Sequence, residues 1–383
     1  MSLTKKPHQA LKLMAIGDSM TQGREGDFTW RYRLWQWLKE EHVDFQFVGP
    51  YRGTKTPEKP HPPRPPPLKG DGQSDDDTLI DLGGYAADVD FDSCHFAVWG
   101  RQAVQCKDVV RTEVAHFDPD LILVMIGIND MIWGVGGPED TVTALKELID
   151  NARDANPNIN VAVANVPQPT PDSSNEKLHP IIERFNRLFE TSMSDWTTVA
   201  SPVELVDVGR CYDCIHGSYD GVHPNALGEY QIARAFSKTL VSSFEIGRNE
   251  RKIPNEIPVR STPVPAHIVA KPASYGITVT WDAIYGALGY DIRCRNEDEL
   301  EWSECQSYVE PNRFDLAQAR YGSKHWFQVR TNNGDSLKSD WSAVVSAIAH
   351  PKTASAPANI FVKPGTESTE VQWEELPGQL GID

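Results

Sequence analysis

The sequence predicts an α/β domain with a mainly parallel sheet in three α/β/α layers, followed by a smaller all-β domain. From residue 11 to about 245, short apolar runs alternate with amphipathic helical patterns. This alternation is typical of a parallel sheet with helices on both faces, because parallel neighbouring strands need crossover connections. After about residue 250 the helical periodicity ends, and short strand-like runs between turn signals predict an antiparallel sandwich.

Each element follows from its own apolar pattern. Short apolar runs indicate buried strands, and longer segments that are apolar every three or four positions indicate helices with one buried face. In chain order, the first part reads LKLMAI, WRYRLWQWLKE, DFQFVG, CHFAVWG, QAVQCKDVVRTEVAHF, LILVMIG, PEDTVTALKELIDNARDA, NVAVANV, IIERFNRLFETSM, VELVDV and NALGEYQIARAFSKTLVSSF. The strand candidates of the second part are GITVTWDA, GYDIRCR, WSECQSYV, HWFQVRTNN and WSAVVSAIA.

At 383 residues the chain is too long for one typical domain, and we expect four segments. These are the α/β domain (8–247), a proline-rich linker (248–262), the sandwich (263–350) and a tail (351–383). The tail repeats the opening of the sandwich, with Trp373 placed like Trp281. Because two strands cannot bury a core, we expect a tail that is disordered, docked on the sandwich or cut short.

A proline-rich insertion, residues 55–77, interrupts the α/β pattern. Its composition predicts an extended, polyproline-like surface loop. Such a loop could bind an SH3-type domain or form part of a site wall, and a solvated insertion without either role is the simpler interpretation.

Composition excludes some function classes. Lys and Arg total 37 against 54 Asp and Glu, which gives a formal charge of −17, so we expect no nucleic-acid partner. No apolar run approaches the ~18 residues of a membrane span, and we expect none. The chain carries no recognisable secretion signal as written, which predicts a cytoplasmic protein, or a secreted one if a signal has been removed.

The six cysteines allow two interpretations. Cys294 and Cys305 flank a predicted turn between strands, and Cys211 and Cys214 form a C-x-x-C in a loop. Each pair could be a disulfide or two reduced, packed cysteines. His216 could join Cys211 and Cys214 at a metal, but no fourth ligand stands at a familiar spacing, so we expect no metal and no cofactor.

Chemically capable residues follow several of the predicted strands. They are GDS at 17–19, WGR at 99–101 and GIND at 127–130, and a fourth such segment, DGVHP at 220–224, stands before the last predicted helix. Ligands of open parallel sheets bind outside the carboxyl ends of the strands, so these segments should meet at one edge.

The residue types are complementary. Ser19 is a candidate nucleophile, although a serine after a strand is more often a helix cap. Asp220 lies three residues before His223, so one tight turn can hold the imidazole against the carboxylate and let His223 act as the base. The backbone N–H groups of Ser19 and Gly100 and the side chain of Asn129 could stabilise an oxyanion.

Two tryptophans neighbour the candidate oxyanion residues. Trp99 precedes Gly100, and Trp133 follows the GIND segment. Their rings could form an apolar wall or a sugar-stacking platform, and ordinary core packing is the alternative.

The four segments, in this order, resemble the blocks of the SGNH (GDSL-type) hydrolases. The resemblance implies a flavodoxin-like fold, with Ser19 as nucleophile, Gly100 and Asn129 in the oxyanion hole, His223 as base and Asp220 as its orienting acid. The segment after the serine is most similar to that of carbohydrate acetyl esterases. The second block, HFAVWGRQA, departs from the H-E-G-H-x-G-W string of those esterases.

The sandwich resembles a fibronectin type III domain. The resemblance rests on Trp281, Tyr290 and the stretch WFQVRTNNGDSLKSDWSAVV, with Trp326 in the place usually held by a tyrosine.

Together these features predict a serine ester hydrolase. We expect a short acyl or acetyl group, on a small-molecule or glycan alcohol, to pass through an acyl-enzyme on Ser19. The same residues could instead catalyse acyl transfer to another alcohol or an amine. A third hypothesis is an adhesion or scaffold protein with a vestigial hydrolase domain. We expect the sandwich to pack on the α/β domain or to act as a spacer.

Overall fold

The computed structural model describes residues 10–63, 83–171, 176–317, 319–334, 336–352, 360–364 and 368–372. Of the proline-rich insertion, residues 56–63 form neither helix nor strand, and the part from residue 64 onward lies outside the described residues.

A parallel sheet forms the centre of the first domain. Its strands are β1 (Leu11–Gly17), β2 (Phe45–Phe47), β3 (Phe96–Ala97), β4 (Leu121–Met125), β5 (Asn160–Ala164) and β6 (Val203–Val206). Their order is β2-β1-β4-β5-β6, and β3 pairs with the carboxyl end of β1. All of these pairings are parallel.

Helices cover both faces of this sheet. They are α1 (Ser19–Gln22), α2 (Thr29–Glu40), α3 (Ala103–Phe117), α4 (Ile128–Ile132), α5 (Pro138–Ala155), α6 (Leu178–Met193), α7 (Val208–Cys211), α8 (Cys214–Gly217) and α9 (Ala226–Phe244). Helices α3, α5 and α6 pack on one face, and α2 and α9 pack on the other. Within β1, Met14 contributes to the first core and Leu13 to the second, as the alternation of a strand requires.

The second domain, called the β-domain below, is a sandwich of two antiparallel sheets. Its strands are β7 (Val269–Ala273), β8 (Gly276–Thr280), β9 (Gly289–Asn296), β10 (Ser303–Val309), β11 (Arg313–Ala317), β12 (Lys324–Asn332) and β13 (Val345–Ile348). One sheet has the order β10-β9-β12-β13 and the other β11-β8-β7. Trp281, Tyr290 and Phe327 belong to its core. This architecture confirms the predicted fold class of an α/β/α domain followed by an all-β domain.

Two details of the β-domain go beyond the sequence interpretation. Cys294 and Cys305 form a disulfide between β9 and β10, whereas Cys211 and Cys214 are free. Trp326 is not part of the core: it lies on the other face of β12, where the guanidinium carbon of Arg295 is 5.1 Å from its ring. Its neighbour His325 is buried instead.

The segments between and after the domains are also partly described. The linker forms hydrogen bonds with both domains. The Arg251 N–H donates to Ser237 Oγ of the α/β domain at 2.7 Å, and the Asn333 side chain of the β-domain donates to the Ser261 carbonyl at 2.9 Å. The boundaries at 247 and 263 therefore stay predictions. The described residues of the tail include two exposed, antiparallel paired strands, β14 (Phe361–Pro364) and β15 (Thr369–Gln372), and Trp373 lies outside the described residues.

Candidate active site

The register of the sheet brings three of the four segments to one edge. Gly17, at the end of β1, pairs with Ala97 of β3 and with Met125 of β4. The segments that carry Ser19, Gly100 and Asn129 leave the sheet directly after these paired residues. Their proximity is thus a consequence of parallel pairing.

Ser19 is the first residue of α1, directly after the turn that closes β1. The end of β1 closely approaches the neighbouring strand β4, because a Cβ on Gly17 would lie 2.5 Å from the Met125 carbonyl oxygen. The helix is capped by Asp18, whose Oδ1 accepts a hydrogen bond from the Met20 N–H at 3.0 Å. Asp18 rather than Ser19 therefore caps the helix, and the Ser19 hydroxyl is available for other contacts.

The Ser19 hydroxyl lies next to the imidazole of His223. Ser19 Oγ is 2.9 Å from His223 Nε2, and His223 Nδ1 is 2.7 Å from Asp220 Oδ2. Because a carboxylate only accepts hydrogen bonds, Nδ1 carries the proton and Nε2 is left to accept from Ser19. The three side chains form one continuous hydrogen-bonded chain, and Ser19 is only 5% exposed.

A local turn holds the acid and the histidine together. Asp220 Oδ1 accepts from the N–H groups of Val222 at 3.0 Å and of His223 at 2.8 Å. Burial alone would raise the pKa of Asp220, but the His223 side chain and these two N–H groups lower it below its usual value. Asp220 is therefore a carboxylate at neutral pH, suited to orient the imidazole.

Three N–H donors are placed near this serine by the segments after β1, β3 and β4. Within the described residues, the backbone N–H groups of Ser19 and Gly100 have no hydrogen-bond acceptor. Gly100 has a φ of +76°, a conformation that favours glycine. The Asn129 side chain donates one amide hydrogen to the Arg101 carbonyl at 3.0 Å, which orients the amide, and its second amide hydrogen has no acceptor among the residues that the structure describes.

The model of the GDSL-like lipase/acylhydrolase family matches residues 13–236, which is more than half of the chain. The protein belongs to this family. It is therefore an ester hydrolase of the SGNH type, as the four sequence segments predicted, and the family match covers all four of them.

Solved structures similar to this hydrolase include several esterases. A carbohydrate esterase family 3 protein from Talaromyces cellulolyticus is 24% identical, with a TM-score of 0.46, over 60% of this chain and 96% of its own. A family 3 carbohydrate esterase from Clostridium thermocellum is 21% identical, with a TM-score of 0.45, over 61% of this chain and 96% of its own. No curated protein is similar enough in sequence to match the chain.

The two tryptophans of the hydrolase have different surroundings. Trp99 is half-buried and stacks on His223, with ring centroids 4.7 Å apart and an interplanar angle of 18°. Trp133 is 57% exposed and lies beside Gly100, where a Cβ would be 2.9 Å from the indole. Trp99 thus contacts the histidine, whereas Trp133 presents an open aromatic surface.

Some residues that build this site were missed by sequence reasoning. Gln22 accepts a hydrogen bond from the Trp99 N–H at 2.6 Å and so holds the loop that carries Gly100. Asp130 caps α3 by accepting from the N–H of Ala103 at 2.8 Å. Gln22 has no sequence signal, but the Asp130 carboxylate could have been recognised from its place in the GIND segment.

Tyr219 also contacts the histidine. Its ring lies 5.7 Å from the His223 imidazole, at an interplanar angle of 15°. The backbone adds a second restraint, since the Tyr219 N–H donates to the His223 carbonyl at 3.0 Å. His223 is therefore bounded by two aromatic rings as well as by Asp220.

Neither a metal cluster nor a membrane helix is found in the described part of the hydrolase. No group of three or more His, Cys, Asp and Glu side chains is arranged to hold a metal ion among those residues. The helices that the structure describes are too short or too polar to cross a bilayer.

Proposed function

We propose that the protein hydrolyses short-chain carboxylic esters through an acyl-enzyme on Ser19. The observation that carries the proposal is the hydrogen-bonded chain from Asp220 through His223 to Ser19 Oγ. A serine hydroxyl becomes a strong nucleophile when a base takes its proton, and His223 Nε2 is placed to do so.

In the first step, Ser19 Oγ bonds to the ester carbonyl carbon while its proton passes to His223 Nε2. The carbonyl oxygen becomes an oxyanion, and the N–H groups of Ser19 and Gly100 and the amide of Asn129 stabilise it. The bond to the leaving alcohol then breaks, and the imidazolium returns its proton to the alkoxide. Asp220 stabilises the imidazolium between these two transfers.

In the second step, water attacks the acyl-enzyme and gives its proton to His223 Nε2. A second oxyanion forms at the same donors, and the bond from Ser19 Oγ to carbon breaks. The proton then returns to Ser19, so the free carboxylic acid leaves and the enzyme is regenerated.

The test compares purified wild-type protein with Ser19→Ala and His223→Ala on p-nitrophenyl acetate. We expect kcat to fall by about 10³-fold or more in both variants, since each removes a member of the catalytic unit. His216→Ala is the matched control, because His216 bonds Asp213 with the same spacing and the same 2.7 Å distance but is 72% exposed. Wild-type activity that survives Ser19→Ala would contradict the mechanism.

For the alcohol part of the substrate, we propose a carbohydrate. The exposed indole of Trp133 beside Gly100 offers a flat apolar surface on which a sugar ring can stack. The similar solved structures include carbohydrate esterases. A short acyl group such as acetyl agrees with the predicted substrate class.

Acetate release from acetylated xylo-oligosaccharides tests this substrate class. We expect Trp133→Ala to raise KM for the oligosaccharide about tenfold and to leave KM for p-nitrophenyl acetate within about twofold, since only the sugar needs the platform. Val135→Ala, which changes another exposed apolar residue nearby, is the control. An equal effect of Trp133→Ala on both substrates would contradict the stacking role.

A further inference from the structure

The loop that follows α1 is held by residues from outside the α/β domain. Arg260, in the predicted linker, donates to the Glu25 carbonyl at 2.7 Å, forms an ion pair with Asp27 and also donates to the Gly286 carbonyl of the β-domain. A Cβ on Gly26 would lie 2.5 Å from the Gly286 Cα. The loop and the β-domain are thus in direct backbone contact.

Arg24, in the same loop, connects the β-domain to the active site. It is 3% exposed, and its guanidinium forms an ion pair with Glu310 at 2.9 Å and a hydrogen bond with the Tyr308 hydroxyl at 3.4 Å. The same guanidinium lies 5.6 Å from the centre of the Trp99 ring. A buried arginine needs a paired charge, and here the β-domain supplies it.

The β-domain therefore contacts both residues whose rings lie beside His223, Trp99 indirectly and Tyr219 directly. Trp99 is contacted through Arg24, which bonds Glu310 and Tyr308 of the β-domain. Tyr219 is contacted directly, because a Cβ on Gly334 of the β-domain would lie 2.9 Å from the Tyr219 carbonyl oxygen. Residues of both domains also line an open cavity of about 670 Å³, and its lining includes Tyr219, Asp220 and Tyr308.

Two residues of this region, one in each domain, have a left-handed backbone conformation. Tyr308 has a φ of +59° and Thr29, at the end of the loop, has a φ of +68°. Such values are rare for bulky and β-branched residues and persist only where surrounding contacts enforce them. For Thr29 one such contact is the 2.7 Å hydrogen bond from its N–H to the buried carboxyl of Glu229.

We propose that the β-domain positions the catalytic histidine, with Glu310 and Tyr308 acting as positioning residues through Arg24 and Trp99. The inference rests on the proposed role of His223 as the base. Its physical basis is that the imidazole must keep Nε2 on Ser19 Oγ, and that the ring stacked on it is held by a cation whose partners lie in the other domain. The β-domain is then part of the catalytic unit rather than a spacer.

The test compares the full-length variant Glu310→Gln with Glu304→Gln, which alters an exposed glutamate of β10. For Glu310→Gln we expect kcat on p-nitrophenyl acetate to fall about tenfold with KM changed less than about twofold, because a small ester does not reach Glu310 while a displaced base slows the chemical step. Glu304→Gln should behave as wild type.

A double variant distinguishes a loss of positioning from misfolding. Glu310→Gln leaves Arg24 buried without its charge partner, so we include Arg24→Met with Glu310→Gln, which removes both charges. The double variant should fold with a near-normal melting temperature and still show the lower kcat, since Trp99 keeps its Gln22 hydrogen bond and the Lys55 cation but loses the cation that the β-domain holds in place. Wild-type kcat in the folded double variant would overturn the proposal.

A readout that needs no substrate separates this inference from the proposed function. The exchange rate of the His223 Nδ1 proton, measured by NMR, should rise severalfold in Glu310→Gln and stay unchanged in Glu304→Gln. Wild-type protein without esterase activity would contradict the proposed function alone. Equal proton exchange in the two variants would overturn the positioning role, even if the wild type hydrolyses esters.

Discussion

At the residue scale, Asp18 and Asp220 are two carboxyl groups near His223 whose surroundings shift their pKa values in opposite directions. Asp220 has the imidazole and two backbone N–H groups as donors, and its pKa is lowered. Asp18 is fully buried with the Met20 N–H as its side-chain donor, and burial raises its pKa to about 7. The surroundings of Asp220 therefore stabilise its charged form, whereas ionisation of Asp18 in the folded protein costs free energy.

Asp18 therefore makes stability depend on pH. Because its pKa is raised in the folded protein, Asp18 makes its full contribution to the free energy of unfolding below about pH 4. That contribution is lost as the pH rises through about 7. We expect the wild-type free energy of unfolding to fall over this range by roughly 4 kcal/mol at most from this group. Asp18→Asn keeps an oxygen for the Met20 N–H and should flatten the dependence.

Urea unfolding at several pH values measures this effect. Asp154→Asn, at an exposed carboxylate, serves as the control and should retain the wild-type profile. A wild-type slope in Asp18→Asn would show that other groups carry the pH dependence.

Asp220 is tested through catalysis. Asp220→Asn removes the charge that stabilises the imidazolium and the acceptor that selects the Nδ1–H tautomer, so kcat should fall about 10³-fold or more with little change in KM. Steady-state kinetics on p-nitrophenyl acetate measures the loss. Asp213→Asn, in the second Asp-His pair, should keep wild-type kcat, and a comparable loss there would argue against a specific role of Asp220.

At the scale of elements, the position of Ser19 depends on how the short helix α1 is anchored. Arg31 of α2 is buried and donates to the carbonyls of Thr21 at 2.8 Å and Gln22 at 3.1 Å. It also donates to the Ser93 carbonyl at 3.0 Å, just before β3. One guanidinium thus satisfies carbonyls at the end of α1 and ties this helix to two neighbouring segments.

We predict that Arg31→Met destabilises the protein by about 3 kcal/mol, because it leaves several buried carbonyls without donors. Chemical unfolding gives the value, and Arg111→Met, at an arginine that is 65% exposed, provides the comparison. Equal stability of the two variants would contradict an anchoring role.

At the scale of the whole molecule, the contact between the domains depends on a few buried charges. Arg260 and Asp27 are both nearly buried and joined in an ion pair, and Arg24 and Glu310 form a second pair. A buried ion pair adds little to the free energy of unfolding, but removing one partner strongly destabilises the protein because the other charge is left buried and unpaired. Such a pair also forms in only one relative orientation of its two partners. These two pairs therefore set the relative position of the domains more than they stabilise either one.

Arg260→Met should loosen this contact. We expect faster limited proteolysis of the linker and a drop in kcat of the same order as for Glu310→Gln, with both domains still folded. Arg320→Met, at an arginine that is 73% exposed on the β-domain, is the control. Unchanged proteolysis and kcat would indicate that the domains do not depend on Arg260.

Sequence reasoning located the candidate site because Ser19, Gly100 and Asn129 each come within a few residues after a recognisable strand, whereas Asp220 and His223 were found as an Asp-x-x-His pair just before the last helix. It did not recover Gln22, at the end of the short helix α1, or Arg24 and Tyr219, in loops, since segments this short have no periodicity that reveals the partners of their side chains. The same limit applies to Cys294 and Cys305: their spacing allowed a disulfide, but only the pairing of β9 with β10 brings the two sulfurs together.

By itself the sequence determined the α/β and all-β division, the family and the class of ester hydrolase, because apolar periodicity and the order of short motifs are local properties. It contains two Asp-x-x-His segments, at 213–216 and 220–223, and the resemblance to the SGNH blocks selects the second. Only the tertiary structure gives the physical reason for that choice, since His223 faces Ser19 Oγ while His216 is largely exposed. The contact of the β-domain with Arg24 was likewise decided by the fold, because it joins residues that are far apart in the chain.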